Sequence, residues 1–425
     1  MADPAASGAL EANSLRFLPD AEARRAVREF DLTSLPPGFH DDPYPLYHAL
    51  RTFAPVHRMP SGSVLLSRWA DLDAVYRDVA TFCSDKRAEF APKFGAESEL
   101  YAHHTTSLVF NDGAQHGRVR KILAGALTPR AIGELEPAVT KLVDELLGRI
   151  EARGSADLIE DFAAAIPVEV IGNLLAVPRE ERAPLRAWSL AILSALEPLP
   201  TPVQLARGNA AVRDFTAYLR GLVADRRAHP GDPARDVLTR LIRGEADGSQ
   251  LSEHELLQNC VFILNAGHET TTNLIGNALV LLCEWPGERV RLLREPALVA
   301  SAVEEFLRFE SSNQLGNRRT TRTCEIGGVA LEAGTSITLC IGAANRDPAQ
   351  FPRPDRLDVA RTPNRHLAFA TGPHQCVGMN VARLEGRIAI GRFLARFPKF
   401  ELAAPPTRTG RARFRGFSAI PLRLS

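Results

Sequence analysis

The chain has 425 residues, 45% hydrophobic and 24% charged, with 51 basic against 50 acidic side chains. That composition builds a sizeable core and excludes global disorder, and it gives no reason to expect nucleic acid or a membrane surface as a bulk partner. None of the six cysteines (Cys83, Cys260, Cys283, Cys324, Cys340, Cys376) forms a CxxC pair, and no apolar run approaches the ~20 residues of a spanning helix.

Residues 1–40 are rich in Ala, Pro and charge and read as a loosely attached arm ahead of one large, mainly α domain over 41–425. The start carries no basic stretch followed by an apolar one, so no signal peptide is expected and a cytoplasmic setting follows. Residues 43–50 read as a short helix, 56–67 as a β-hairpin around Pro60-Ser61-Gly62-Ser63, and 69–79 as helix again. From 86 to 112 the periodicity is weak, with Phe90, Phe94, Leu100, Tyr101, Leu108 and Phe110 scattered among polar residues. A loop of that length is characteristically a lid or a binding loop.

From about 114 to 243 the pattern is nearly all helix. Turns are marked at Thr128-Pro129, Gly154-Ser155, Val177-Pro178, 198–202 and 230–233, and the 198–202 proline cluster is where a flap could hinge. Past residue 310, short strand-like runs such as 336–341 alternate with proline-rich irregular chain around 351–354.

Ser252-Glu253-His254-Glu255 fits a capping box with Ser252 as N-cap. Helical sequence then continues to Cys283 or Trp285, where Pro286 stops it, about 30 residues or ~45 Å. It is apolar nearly all round, as in a buried helix. Its centre, 265–273, breaks the pattern with Gly267, His268, Glu269 and three threonines. Glycine there costs ~1 kcal/mol against alanine, and a buried unpartnered Glu costs several times more. Local rules failing together mark a functional or strained site. Alternatively, threonine hydroxyls bond preceding carbonyls while Glu269 and His268 reach a wet gap. Glu305 and Arg308, on a helix opened by Pro296, read by spacing alone as a surface ion pair worth ~0.2–0.5 kcal/mol.

One cysteine, Cys376, sits in the loop Phe369-Ala370-Thr371-Gly372-Pro373-His374-Gln375-Cys376-Val377-Gly378, just ahead of a helical stretch from Asn380. Unpaired N–H groups and the positive helix end favour thiolate over thiol. Such a thiolate serves as a nucleophile, a zinc ligand or an axial ligand to haem iron, and the loop alone does not choose.

Ala266-Gly267-His268-Glu269-Thr270, then Glu305-Phe306-Leu307-Arg308, then Phe369-x-x-Gly372-x-His374-x-Cys376-x-Gly378 together resemble the cytochrome P450 family, particularly its soluble bacterial members. Supporting matches are His116-x-x-x-Arg120, Ala344-Asn345-Arg346-Asp347-Pro348, Phe351-Pro352-x-Pro354-Asp355-Arg356 and Ala382-Arg383-Leu384-Glu385. The resemblance covers roughly residue 40 to the C-terminus. It implies the cytochrome P450 fold, a large helical domain with a smaller β-rich part. Heme b (iron protoporphyrin IX, haem below) lies between the long central helix and the cysteine loop.

By that resemblance Cys376 is the metal ligand, an axial thiolate whose donation favours O–O cleavage. Thr270 is the hydroxyl that steadies dioxygen, Glu269 the acid of the proton-delivery pair, and Gly267 the opening that lets oxygen and substrate approach the helix. His116, Arg120, Arg318 and His374 pair with the haem propionates, Arg318 being assigned by its place ahead of Glu325-Ile326-Gly327-Gly328. Phe369 lies against the porphyrin, and Gly372 and Gly378 shape the cradle. Glu305 and Arg308, with Arg356 as third member, form a buried triad supporting the cysteine loop, which replaces the surface-pair expectation. Two departures stand out: Ala370 where the family usually has a second glycine, strained by about 1 kcal/mol if φ is positive, and Glu269 for the commoner aspartate.

The activity implied is a haem-thiolate monooxygenase acting on a small or medium hydrophobic organic molecule. Hydroxylation is the default, and O-dealkylation or epoxidation use the same chemistry. A zinc or cysteine hydrolase would need further ligands or a base at recognisable spacing, and none is found. A non-catalytic haem sensor has no need of Glu269 and Thr270, and a peroxide-driven peroxygenase tends to replace them. The sequence carries no flavin- or iron–sulfur-binding segment, so electrons are expected from a ferredoxin and a ferredoxin reductase, docking near Arg118 and Lys121. A monomer without nucleic-acid or membrane partners is expected. Family position puts the substrate near 86–110, 185–210, 262–266, 313–316, Ile341-Gly342 and 414–418. Asn313 and Gln314 there either orient a polar substituent or satisfy backbone groups.

Overall fold

The computed structural model describes residues 17–233, 236–244 and 250–424. Where a loose arm was expected, helix α1 (Asp20–Glu29) buries Ala23 and Val27 with Phe30, Leu32 and Phe39 against helix α2 (Tyr44–Phe53). Ala23, Val27 and Phe30 recur at i, i+4 and i+7, an apolar stripe that the polar bulk composition masked. Residues 1–16 of the expected arm lie outside the described residues.

The hairpin expected at 56–67 is present as antiparallel strands β1 (Val56–Arg58) and β2 (Val64–Leu66). Helix α3 (Trp69–Arg77) and strand β3 (Phe82–Cys83) follow. The 86–112 stretch is not the irregular loop expected. It folds into α4 (Arg87–Phe94), α5 (Glu99–Thr106) and a single 3-10 turn, Leu108–Phe110. Phe90, Phe94, Leu100 and Leu108 are buried in the main core. Each helix is only eight residues long, too short for a 3.6-residue period to register.

The helical middle runs as predicted through α6 (Gly113–Ala126), α7 (Pro129–Gly133), α8 (Glu136–Arg153), the short strand β4 (Ser155–Asp157), α9 (Ala165–Leu174), α10 (Leu185–Ser194), α11 (Pro202–Ala228) and α12 (Val237–Arg243). Thr201 ends the proline cluster by capping α11 reciprocally with Gln204. Ser252 and Glu255 likewise close the predicted capping box of α13 (Glu253–Glu284). Helices α5, α9, α10 and α11 pack around α13, which explains its apolar surface on all sides.

Helices α14 (Pro286–Arg294) and α15 (Val299–Phe309) lead into the β-rich part: β5 (Leu315–Thr320), β6 (Cys324–Ile326), β7 (Val329–Leu331) and β8 (Ser336–Cys340). One sheet has the order β1-β2-β8-β5-β3, with β2 parallel to β8, and β6 pairs with β7. After α16 (Ile341–Ala344), irregular chain reaches the cysteine loop and then α17 (Met379–Arg396). Strands β9 (Glu401–Leu402), β10 (Thr407–Arg408), β11 (Phe417–Ala419) and β12 (Pro421–Arg423) finish the chain, β12 joining β4 to β9. Among the described residues no helix is long and apolar enough to cross a membrane.

Candidate active site

The polar turn at 266–270 falls at the centre of α13. Ala266 is exposed there and Thr270 half-buried. They lie one turn apart on one face, so a buried helix opens onto interior space at that face. The Thr270 hydroxyl donates to the Ala266 carbonyl at 2.7 Å. Gly267 faces elsewhere: a Cβ on it would lie 2.9 Å from Ile171 Cδ1 of α9. Its missing side chain admits Ile171.

Glu269 is buried, and both of its oxygens accept from Arg411 Nη1, at 2.7 and 2.6 Å. Burial pushes this carboxyl up to about 7; Arg411 opposes the rise and Glu197 adds to it. Arg411 was not singled out in the sequence, where nothing local links it to a residue 142 positions earlier. His268 sits 3.2 Å from Ser189 Oγ and is pushed down to about 3, chiefly by burial.

The cysteine loop is closed by Cys376 N–H donating to the Phe369 carbonyl at 2.9 Å and Ala370 N–H to Leu367 at 2.9 Å. Ala370 has φ +53°, the left-handed conformation that an alanine adopts only at a cost. Gly372 has φ +68°, and a Cβ there would meet the Tyr76 carbonyl at 2.7 Å. Glycine thus seats the loop on the end of α3. Gly378 has an ordinary φ of −89°, and a Cβ there would touch no protein atom. The Arg383 guanidinium lies 5.0 Å from the centroid of the half-buried Phe369 ring.

Cys376 keeps accessible surface although protein atoms crowd it on every side, as a residue facing an internal space does. Burial pushes its thiol up, while the Gly378 N–H, Arg120 and Arg383 pull it down. The backbone N–H thus favours thiolate as expected, but in the protein by itself desolvation outweighs it. A coordinated metal deprotonates such a thiol outright.

His116, Arg120, Arg318 and His374 come together from α6, β5 and the cysteine loop. The two imidazoles stack with centroids 4.0 Å apart. His374 Nε2 donates to Asp112 Oδ1 at 2.9 Å, and Asp112 Oδ2 also accepts from Ser84 N–H (2.6 Å) and Asp85 N–H (3.0 Å). Arg318 is buried over the Tyr76 ring, its Nη1 donating to the Asn317 carbonyl at 2.7 Å. His116 is pushed down to about 4 by burial first and then by His374 and Arg120. Two buried nitrogens here, Arg318 Nε and His116 Nε2, have no hydrogen-bond partner among the described residues. Buried nitrogens lacking acceptors beside an enclosed sulfur fit a group carrying carboxylates and a thiolate-binding metal, as haem does.

Support for the loop comes from Glu305 and Arg308, both fully buried, joined by Arg308 Nε (2.7 Å) and Nη2 (2.8 Å). The third member is Arg361, whose Nε reaches the Glu305 oxygens at 3.1 and 3.0 Å. This corrects the assignment to Arg356, whose side chain is exposed and which contributes only its carbonyl, accepting from Arg361 Nη2 at 3.1 Å. Irregular chain has no period to reveal which arginine turns inward. Arg308 Nη1 also holds the Asn345 and Pro354 carbonyls, at 2.9 and 2.8 Å, pinning the segment that leads to Cys376.

Arg118 does not stand free on α6: it bonds the Glu255 carboxylate and the Gln250 carbonyl, tying α6 to the start of α13, while Lys121 is exposed. Gln314 serves backbone groups, its Nε2 donating to the Ser311 carbonyl at 2.7 Å. Asn313 forms a β-bridge with Phe414. Among the described residues no three His, Cys, Asp or Glu side chains converge to hold a metal.

Residues 185–416 match the family model described as Cytochrome P450. The chain is similar to the Vitamin D(3) 25-hydroxylase of Pseudonocardia autotrophica, 38% identical over 376 residues that cover 86% of this chain and 89% of that protein. It is also similar to the epothilone C/D epoxidase of Sorangium cellulosum, 34% identical over 400 residues covering 92% and 94%. Its fold matches the crystal structure of CalO2 with a TM-score of 0.87 at 31% identity, over 94% of this chain and 99% of that one.

Proposed function

The chain belongs to the cytochrome P450 family of haem-binding monooxygenases, and from that premise we propose that it inserts one atom of O2 into a small or medium hydrophobic organic substrate, with electrons from a ferredoxin and its reductase. Hydroxylation is the proposed default, with epoxidation and O-dealkylation open to the same site. The same proposal has the protein working as a cytoplasmic monomer.

Bound haem supplies the redox-active iron at which dioxygen is activated. Cys376 Sγ would ligate that iron, and His116, Arg120, Arg318 and His374 would hold the propionates. Phe369 would lie beside the ring, and Gly378 would leave room for it.

The observation that carries the proposal is a single turn of α13 presenting the Thr270 hydroxyl to the interior beside the buried Glu269 carboxyl. A carboxyl brought to about 7 holds and releases protons at neutral pH. Arg411 fixes its orientation through the two bonds at 2.7 and 2.6 Å. The Thr270 hydroxyl both donates and accepts, so it can pass a proton that Glu269 supplies. At rest it donates to Ala266, and it must rotate away to serve.

The decisive experiment is the spectrum of the haem-loaded protein, reduced and exposed to CO. A strongly red-shifted Soret band is expected from thiolate ligation by Cys376. Its absence in wild type, or its persistence in Cys376→Ala, would overturn the assignment.

A further inference from the structure

The segment after β10 points several cations inward. Arg411 holds Glu269, next to Thr270. Two residues on, Arg413 Nη1 donates to the Leu315 carbonyl of β5 at 2.7 Å and reaches Asn317 Oδ1 at 3.5 Å, while its Nε is buried with no partner. Lys93, on α4, donates only to the Glu197 main-chain carbonyl, at 2.7 Å. Neither Lys93 nor Arg413 forms an ion pair among the described residues. Both keep some accessible surface although crowded by protein, as Cys376 does.

Two acids lie nearby, Glu89 and Glu197, and the Oε1 of Glu197 is buried without a hydrogen-bond partner among the described residues. Lys86 pairs with Glu89 at 2.8 Å. One Glu197 oxygen accepts the Ala412 and Arg413 N–H groups at 3.1 and 3.4 Å. Lys86, Lys93 and Arg413 against Glu89 and Glu197 is three positive charges facing two negative, a surplus of one. Lys93 gives up its proton more readily than usual, with a pKa lowered to about 8, first because it is buried and then because Arg413 faces it. An enclosed charge is costly without a counterion, and two carboxylates against three cations leave this set one negative charge short.

Its position tells which counterion. Arg413 stands between the Glu269–Thr270 turn of α13, through Arg411, and strand β5, which carries Arg318. Lys93 from α4 and Glu197 from the turn between α10 and α11 meet beside it. A ligand reaching both Thr270 and this surplus charge is an elongated apolar body with an anionic end. One excess charge matches a monoanion, and a guanidinium binds a carboxylate through paired N–H donors.

We propose that the substrate is a hydrophobic carboxylic acid whose carboxylate binds Arg413 and Lys93 while its apolar body extends toward Thr270. This rests on the monooxygenase function proposed above and narrows the substrate class.

The test uses ω-imidazolyl alkanoic acids and the matching ω-imidazolyl alkanols, in a short, a medium and a long chain. The imidazole anchors at haem iron, so binding needs no knowledge of the native substrate, and the shift of the Soret band reads Kd. At one chain length or more the acid binds about tenfold tighter than the alcohol. In Arg413→Ala that ratio falls to about one, in Arg413→Lys it is partly kept, and in Lys93→Gln it falls in part. Equal binding of acid and alcohol at all three lengths overturns the proposal, as does a ratio unchanged in Arg413→Ala. Loss of haem from Arg413→Ala with no acid preference in wild type reassigns Arg413 to the propionates and also overturns it. A missing red-shifted band in reduced, CO-treated wild type would instead strike at haem-thiolate ligation, so the two failures are distinguishable.

Discussion

Arg361 Nε lies 3.1 and 3.0 Å from the two oxygens of Glu305, a carboxylate wholly withdrawn from solvent and already gripped by Arg308. Asp358 N–H and Asn364 Nδ2 complete its shell at 3.0 and 3.1 Å. Removing one partner from a buried charge cluster costs about 3–5 kcal/mol. Arg361→Ala should therefore lose that much in denaturant unfolding and release haem. Arg356→Ala, at an exposed side chain, should stay within about 0.5 kcal/mol of wild type. The opposite ranking would restore Arg356 to the triad.

Thr270→Ala removes the half-buried hydroxyl next to Glu269 in sequence. Substrate oxidation should fall by an order of magnitude while electron consumption continues, the difference appearing as hydrogen peroxide. Thr270→Ser, which keeps the hydroxyl, should recover most of the coupling. Equal product per electron in wild type and Thr270→Ala would remove the residue from proton transfer.

For Glu269 the protonated carboxyl is the donor, and its pKa is raised to about 7, chiefly by burial. Turnover should accordingly decline as pH rises through about 7, and Glu269→Gln should lose that limb along with most of its rate. A pH profile of unchanged shape in Glu269→Gln would rule the carboxyl out. Arg411→Met should move the limb to higher pH, because the guanidinium holds the carboxyl below where burial alone would put it.

Glu385 on α17 is a cleaner case of the same physics. It is buried, its Oε2 has no partner, and burial alone pushes it up to about 8 from 4.5. In the folded protein it keeps a proton that the unfolded chain has released. Stability should therefore fall as pH rises from 4.5 toward about 8, by at most about 1.4 kcal/mol per unit. Glu385→Gln should flatten that slope in urea unfolding across the same range. An identical slope would mean that the carboxyl finds a counterion.

Ala370, at φ +53°, sets two effects against each other. Glycine would relieve about 1 kcal/mol of backbone strain but cost ~0.4–1 kcal/mol by loosening the unfolded chain. Ala370→Gly should thus melt close to wild type, whereas β-branched Ala370→Val should melt clearly lower. A stabilised Ala370→Val would refute the strain.

Features carried by neighbouring residues were legible in the sequence. The Ser252–Glu255 cap and the polar turn at 266–270 follow from local rules, while the positive-φ position in the cysteine loop came from the family resemblance. What escaped depends on chain that returns from afar. Arg411 meets Glu269 across 142 residues, and Arg361 meets Glu305 across 56. The same limit hid α1 and the two-turn helices α4 and α5, whose apolar residues make sense only against partners. Gly267 was noticed for the right reason, a glycine inside a buried helix, but which neighbour needed the space depended on where α9 lies.

Asp112 ties the main-chain N–H groups of Ser84 and Asp85 to His374, across 262 residues. The loop around Cys376 also leans on Tyr76 through Gly372, and the last strand, β12, pairs back to β4. The sulfur's surroundings are thus assembled from segments about 260 to 300 residues apart, and chains that depend on such distant contacts fold slowly. Haem should be taken up by a nearly finished protein and not act as a seed for folding. During refolding with haem present, far-ultraviolet circular dichroism should recover before the Soret band sharpens, and a Soret signal that leads would reverse that order.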